Sequence, residues 1–132
     1  MTRLIIVVFL AAAVITLASI EQVVIGRAYG RLERDVNAMV DRLNMGDKEG
    51  KVDTPENISQ INHMYDYWLQ YERRLSMLAR HFDLAQVSTN LIYAKNFIEF
   101  DNKEEAMVGL LQVRYLIKTH RFNVGTSIQN VI

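Results

Sequence analysis

From Leu4 to Ile20 the chain runs through seventeen positions without a charged side chain, and a mixed pattern begins only at Glu21. At 1.5 Å per residue such a run is about 26 Å long, close to the short limit for a hydrocarbon core of about 30 Å. Val23, Val24 and Ile25 lengthen it if Glu21 and Gln22 reach the headgroups, with Arg3 snorkelling at the opposite end. The pattern predicts a transmembrane anchor over residues 1–25. Thr16-Leu17-Ala18 loosely fits the small-residue rule for a cleaved signal peptide. The apolar run exceeds that of a typical signal peptide, no helix breaker precedes the site, and helical patterning continues past it, so the anchor is expected to stay uncleaved.

Beyond the span the apolar stripe continues through Ile25, Tyr29, Leu32, Val36, Met39 or Val40, and Leu43, alternating steps of three and four. The membrane helix is therefore expected to run on as a stalk to about residue 45. A charged, glycine-bearing stretch from Gly46 to Pro55 follows, and Thr54, Pro55 and Glu56 form a helix start: a hydroxyl cap, a proline at the first position and an acid in the first turn. The second helix, expected over 55–82, carries Ile58, Ile61, Tyr65, Trp68, Glu72, Leu75, Ala79 and Phe82 on one stripe. A two-residue slip then moves the apolar positions to Leu84, Val87, Leu91, Ala94 and Ile98, which predicts a turn and a third helix over 84–100 opened by Asp83 with Gln86. Asp101 with Glu104 repeats the device and opens a fourth helix over 102–121, with Ala106, Leu110, Val113, Ile117 and His120 on its stripe. Residues 123–132 are mostly polar until Val131-Ile132 and carry no readable period.

The fold expected is all-α: the transmembrane helix continues into an antiparallel four-helix bundle domain over residues 26–132, because single amphipathic helices of this length cannot offset their ordering entropy alone. Two other arrangements fit the same stripes: a three-helix bundle beside a free stalk, or stalks paired between two copies in a homo-oligomer. With turns centred near residues 50, 82 and 101, Trp68 falls level with Leu32, Ile98 and Ala106. Glu72 falls level with Ala28, Ala94 and Gly109, a polar layer lined by small residues. It reads either as a partner-binding notch or as a structural ion pair with Arg27, Arg31 or Lys95, and the pair is the expectation. The same register brings Arg80, His81, Phe82, His120, Arg121 and Phe122 to the membrane end, cations beside aromatic rings as expected at headgroups. The far end carries Asp47, Glu49, Asp53, Glu56, Asp101, Glu104 and Glu105 among Lys48, Lys51 and Lys103, a pattern that ordinary helix-end chemistry also produces.

Composition narrows the function classes. Fifteen Lys and Arg balance fifteen Asp and Glu, which gives no electrostatic footprint for nucleic acid. With no Cys, thiolate metal sites, disulfides and Cys nucleophiles are excluded. No phosphate-binding Gly-rich loop, Gly-x-Ser-x-Gly elbow or His-Glu-x-x-His run occurs, and Ser76, Ser88 and Ser127 have no adjacent base. His63 belongs near the end opposite His81 and His120, so a histidine ligand set is not expected. No catalytic, cofactor-binding or metal-ligating residue, and no cofactor, is assigned.

Trp68, Glu72, Leu75 and His81-x-x-Leu84, the helical hairpin centred on Asp101, and the Asn130-Val131-Ile132 ending resemble a family of small proteins found mainly in clostridia and related Gram-positive bacteria. That family is a domain of unknown function, with one N-terminal transmembrane helix and a helical domain. The resemblance covers nearly the whole chain; the family's usual ending is closer to Asn-Ile-Leu, from which Val131-Ile132 departs. It implies a membrane placement and brings no activity.

The expected function is that of a single-pass, membrane-anchored interaction or scaffolding module of the cell envelope, with the lipid bilayer and another membrane or envelope protein as partners. The alternative is a ligand-sensing helical domain acting through a partner membrane protein; an enzyme ranks last. Arg27, Arg31 and Arg34 after the span, read literally, would hold the large domain inside. Long domains translocate largely regardless of charge, which favours the N-terminus inside and the helical domain outside.

Overall fold

The computed structural model describes residues 1–46, 50–75 and 81–131; of residues 81, 82 and 122–131 it describes the backbone alone. Four helices follow one another: α1 (Thr2–Met45), α2 (Pro55–Leu75), α3 (His81–Glu99) and α4 (Lys103–Val131). α1 lies beside α2 and α4, and α3 lies beside the same two, so chain neighbours are spatial neighbours and α4 closes the ring against α1. This is the antiparallel four-helix bundle that the stripes predict. The stalk is a full member of it, because Ile25, Ala28, Tyr29, Leu32, Val36, Met39, Val40 and Leu43 are all buried. The three-helix arrangement with a free stalk is thereby set aside.

α1 ends at Gly46, which turns the chain with a φ of 70°, a left-handed conformation open to glycine without steric cost. The start of α2 follows the expected chemistry: Thr54 Oγ1 accepts a hydrogen bond from the Asn57 amide at 3.2 Å, with Pro55 in the first helical position. Two other ends differ from expectation. α3 begins at His81 and not at residue 84, so Asp83 sits inside its first turn, where a carboxylate complements the helix dipole without capping. Residues 81 and 82, expected to end α2, are helical in α3, and the expected helix over 76–80 lies outside the described residues. α4 runs ten residues beyond its expected end at 121, to Val131.

The turn between α3 and α4 is built on Asp101, though not as a helix cap. Asp101 takes a φ of 55°, its amide donates to the Ile98 carbonyl at 3.1 Å, and the Asn102 amide donates to the Phe97 carbonyl at 2.8 Å. This pair of bonds is the Schellman closure of a helix C-terminus. An aspartate tolerates the left-handed position better than most side chains. Its carboxylate reaches across to the segment before α2, accepting from the Val52 amide at 2.6 Å and the Asp53 amide at 3.4 Å. The cap of α4 is the next residue: Asn102 Oδ1 accepts from the Glu105 amide at 3.2 Å. The two turns at this end of the bundle are thus tied together.

The expected centre near residue 101 for the α3–α4 hairpin holds. A Cβ added to Gly109 would stand 3.0 Å from the Cβ and the amide nitrogen of Ala94, so the two helices approach as closely as these small residues allow. The α1–α2 centre near 50 also holds, since Tyr67 on α2 bonds Asp35 on α1. The α2–α3 pairing is shifted. Trp68 donates its indole N–H to the Leu84 carbonyl at 3.3 Å, and its ring lies 5.4 Å from that of Tyr29 and 6.4 Å from that of Tyr71. Trp68 is fully buried, but the layer it shares is that of Tyr29 and Leu84, while Ile98 and Ala106 are buried beside the Asp101 turn. The cause is the earlier start of α3, which slides that helix along α2.

Candidate functional site

Three regions carry the features from which a function can be argued, and the first is the free half of α1. Leu4 to Leu10 are each more than half exposed, as are Val14, Ile15 and Leu17, and no helix of the bundle covers them. The best eighteen-residue window of this helix has a mean hydropathy of 2.6 and no buried residue. Thr16 and Ser19 fold their hydroxyls back onto the carbonyls of Ala12 and Ile15 at 2.8 and 2.9 Å, so the polar atoms of the run are internally satisfied, as an apolar surrounding demands. The helix is long and apolar enough to cross a membrane. Burial begins at Ile25, within the same unbroken helix.

The second region is the layer expected around Glu72. The structure brings Ala94 and Gly109 together but separates Glu72 from them. Glu72 is half-buried and accepts a hydrogen bond from Ser88 Oγ at 2.5 Å, six residues before Ala94 on α3, or about 9 Å along the helix. Ala28 is buried next to Tyr29, whose partner His120 is eleven residues, about 16 Å, from Gly109 on α4. The four expected layer residues therefore divide among three levels. Among the described residues the three cations expected to pair with Glu72 do not reach it. Arg31 Nη1 donates to Tyr71 OH at 3.4 Å and its guanidinium carbon sits 4.0 Å above the Tyr67 ring; Lys95 stands 5.6 Å from the Tyr65 ring; Arg27 is exposed. A buried serine hydroxyl takes the role expected of a cation.

The α1–α2 seam is held by another unforeseen pair. Tyr67 OH donates to Asp35 Oδ2 at 2.6 Å; burial first, and then this carboxylate, push the phenol well above its ordinary range. Tyr67 therefore remains a donor across the physiological range. A matching strap on the opposite side joins Tyr93 OH to Glu105.

The third region is the end of the bundle nearest the free half of α1. Of the six residues expected on a membrane-proximal face, Arg80 lies outside the described residues, as do the side chains of His81, Phe82 and Phe122. Arg121 is exposed and pairs with Glu33 at 3.2 Å. His120 departs from expectation: it is 6% exposed and turned into the core, because it occupies the apolar stripe of α4 after Ile117. Its Nδ1 is 3.0 Å from Tyr29 OH, its ring 5.8 Å from the Tyr29 ring, and its Nε2 is 3.9 Å from Asp83 Oδ1.

Electrostatics assigns the protons in this cluster. Burial pushes the His120 pKa below the usual histidine range, with Asp83 opposing, and burial, helped by Asp83, pushes the Tyr29 phenol above its range. At neutral pH the phenol is the donor and Nδ1 the acceptor, which leaves the ring proton on Nε2, facing Asp83. Trp68, Tyr29, His120, Asp83 and Leu84 thus join all four helices at one level. Among the described residues no group of three or more His, Cys, Asp or Glu side chains could hold a metal ion.

Sequence reasoning missed Ser88, Asp35 and the Tyr29–His120 bond. The burial of His120 had a signal, its place on the α4 stripe. The other partners had none, since hydroxyls and carboxylates flanking a stripe reveal their mates only when the rotation of both helices is known. No family model, curated protein or solved structure matches the chain.

Proposed function

We propose that the protein is a single-pass membrane protein of the bacterial envelope, the placement implied by the resemblance to the clostridial family, and that its helical domain is an interaction or scaffolding module for another membrane or envelope protein. The observation that carries this reading is α1 itself. One helix of 44 residues has an uncovered apolar half and a half that forms one side of the bundle core, so the domain cannot leave the bilayer surface by more than its own fold allows. The outer face of α4 supplies the contact surface: Val108, Leu111 and Tyr115, three and four positions apart, are 56%, 39% and 63% exposed, an apolar stripe on the side away from the core. In this reading the N-terminus faces the cytoplasm and the bundle faces outward, since long domains translocate largely regardless of their charge.

Because the chain holds no Cys, a single cysteine at Lys51 gives an unambiguous label. It is expected to react with an impermeant thiol reagent in intact cells, and labelling only after lysis would place the bundle inside. A photo-crosslinking amino acid at Tyr115 is expected to capture a discrete membrane or envelope protein in native membranes. Equal capture from Arg34, on α1, would remove the α4 stripe from the proposal. Recovery of native protein beginning near Ser19 would show a cleaved leader and end the anchor reading.

A further inference from the structure

α4 overshoots the level at which α1 enters the bundle. His120 is level with Tyr29, to whose hydroxyl its Nδ1 is bonded at 3.0 Å, and the helix runs on from there to Val131. Those eleven residues add about 16 Å antiparallel to α1, which carries the backbone of Val131 to the height of Ala18, within the charge-free run from Leu4 to Ile20. The charges of the two helices thin out at the same height. Arg121 is the last charged residue of α4, with none from Phe122 to Val131; along α1 in the same direction, only Glu21 stands between Arg27 and the charge-free run. We propose that the last turns of α4 are a second membrane contact: beyond Arg121 the helix lies in the interfacial layer of the bilayer that α1 crosses, with its end at the edge of the hydrocarbon.

Charge complementarity identifies the occupant as lipid. Trp68 lies against Tyr29, and Arg73 and Arg74 follow it on α2 by five and six residues, about 8 and 9 Å, which sets them level with Val24 and Val23 of α1. Arg27 and Arg121 stand just on the membrane side of Tyr29 and His120, and all four arginines are exposed. They fill a band about 8 Å deep, the depth of one interfacial layer when a core of about 30 Å lies in a bilayer of about 40–45 Å. The acids at these heights are turned inward, Glu72 to Ser88 and Asp83 towards His120. Arg121 bonds Glu33, yet 46% of its side chain stays exposed. Guanidinium groups placed so meet lipid phosphates, and the uncharged turns of α4 begin directly beneath them. The last carbonyls of a helix have no internal partner, which holds the end of α4 at the hydrated edge of the hydrocarbon and out of its centre. The proposal rests on the reading of α1 as a membrane span and adds a second segment that touches the same bilayer.

The test is depth-dependent quenching in the full chain, reconstituted into vesicles of phosphatidylcholine and phosphatidylglycerol. Since the chain holds no Cys, single cysteines at Gly125, Thr126, Ser127 and Ile128 carry an environment-sensitive fluorophore around one full turn of α4. Matched vesicles hold lipids with a nitroxide on the headgroup or midway along the acyl chain. At one or more of the four positions the headgroup nitroxide is expected to cause loss of emission, and a larger loss than the mid-chain nitroxide. A label at Ala12, in the middle of the span, is expected to be quenched most by the mid-chain nitroxide, and one at Lys51, at the far end of the bundle, by neither. If Ala12 is quenched and none of the four α4 positions is, the second contact is overturned while the anchor stands. If Ala12 itself escapes the mid-chain nitroxide, the anchor reading fails and the second contact falls with it. Blue-shifted emission at the α4 positions without lipid quenching would show that protein covers these turns, which also overturns the proposal.

Discussion

The two ends of the bundle are specified by different physics. Towards the Asp101 turn the interface of α3 and α4 is aliphatic and close-packed, with Leu91, Ala94, Ile98, Ala106 and Leu110 fully buried and the two helices meeting at Ala94 and Gly109. Towards the apolar half of α1 the interior is aromatic and polar: Tyr29, Trp68, Ser88 and His120 are buried, and each finds a hydrogen-bond partner. Size decides fit at the first end and direction decides it at the second. A close-packed aliphatic layer tolerates no added atom, whereas a hydrogen-bonded layer tolerates little loss of a donor or acceptor.

The largest break in this comparison should come from Trp68→Ala, which removes both the ring and the bond to the Leu84 carbonyl. A loss of about 3–5 kcal/mol is expected on the scale of aromatic truncations, read by chemical denaturation of the detergent-solubilised full chain. A loss under about 1 kcal/mol would mean that the polar end is not a core. Next in size, Gly109→Ala should destabilise. Its new methyl meets a backbone nitrogen and a methyl at 3.0 Å, an overpacking expected to cost about 1–3 kcal/mol, partly offset by a gain of about 1 kcal/mol in helix propensity. Net stabilisation would show that the aliphatic end has slack.

The contrast sharpens with pH. The His120 pKa is lowered on folding, so the unfolded chain takes up the proton first. Its contribution to stability is whole above the unfolded value of about 6.5 and falls as the pH drops towards the folded value, with a slope of at most about 1.4 kcal/mol per pH unit. His120→Gln should flatten that slope, whereas Gly109→Ala should leave it unchanged. The smallest effect is expected at the Asp101 turn. Asp101→Asn keeps an acceptor oxygen for the Val52 amide and a side chain that tolerates a positive φ, so a change within about 0.5 kcal/mol is expected. Asp101→Ala should cost more than Asp101→Gly, since alanine loses both the bonds and the left-handed freedom.

The same division governs what could be read in advance. The aliphatic end was legible: the stripes of α3 and α4 placed Ala94 beside Gly109 and centred their hairpin near residue 101. At the polar end the stripes marked Trp68 and His120 as inward-facing, yet the slip between Phe82 and Leu84 dated the turn too late and misplaced Trp68 among Ile98 and Ala106. Periodicity reports the angle of a residue around a helix. It says nothing of how far one helix has slid along the next, and a hydrogen bond depends on both. The pairings of Glu72 with Ser88 and of Tyr67 with Asp35 therefore had to come from the fold.

The closure of the ring by α4 against α1 has a bearing on how the protein is made. Synthesis runs from the N-terminus, so α1 is complete while α4 is still untranslated. Until α4 emerges, the buried stripe from Ile25 to Leu43 has at most one of its two neighbours. The pair that shuts the bundle, Tyr29 and His120, is ninety-one residues apart in the chain, and such distant pairings form late. A half-finished chain is thus a long helix whose bundle-forming part has a bare apolar flank. A ribosome stalled within α4 would leave it in that state, at its most exposed to proteases and to neighbouring copies.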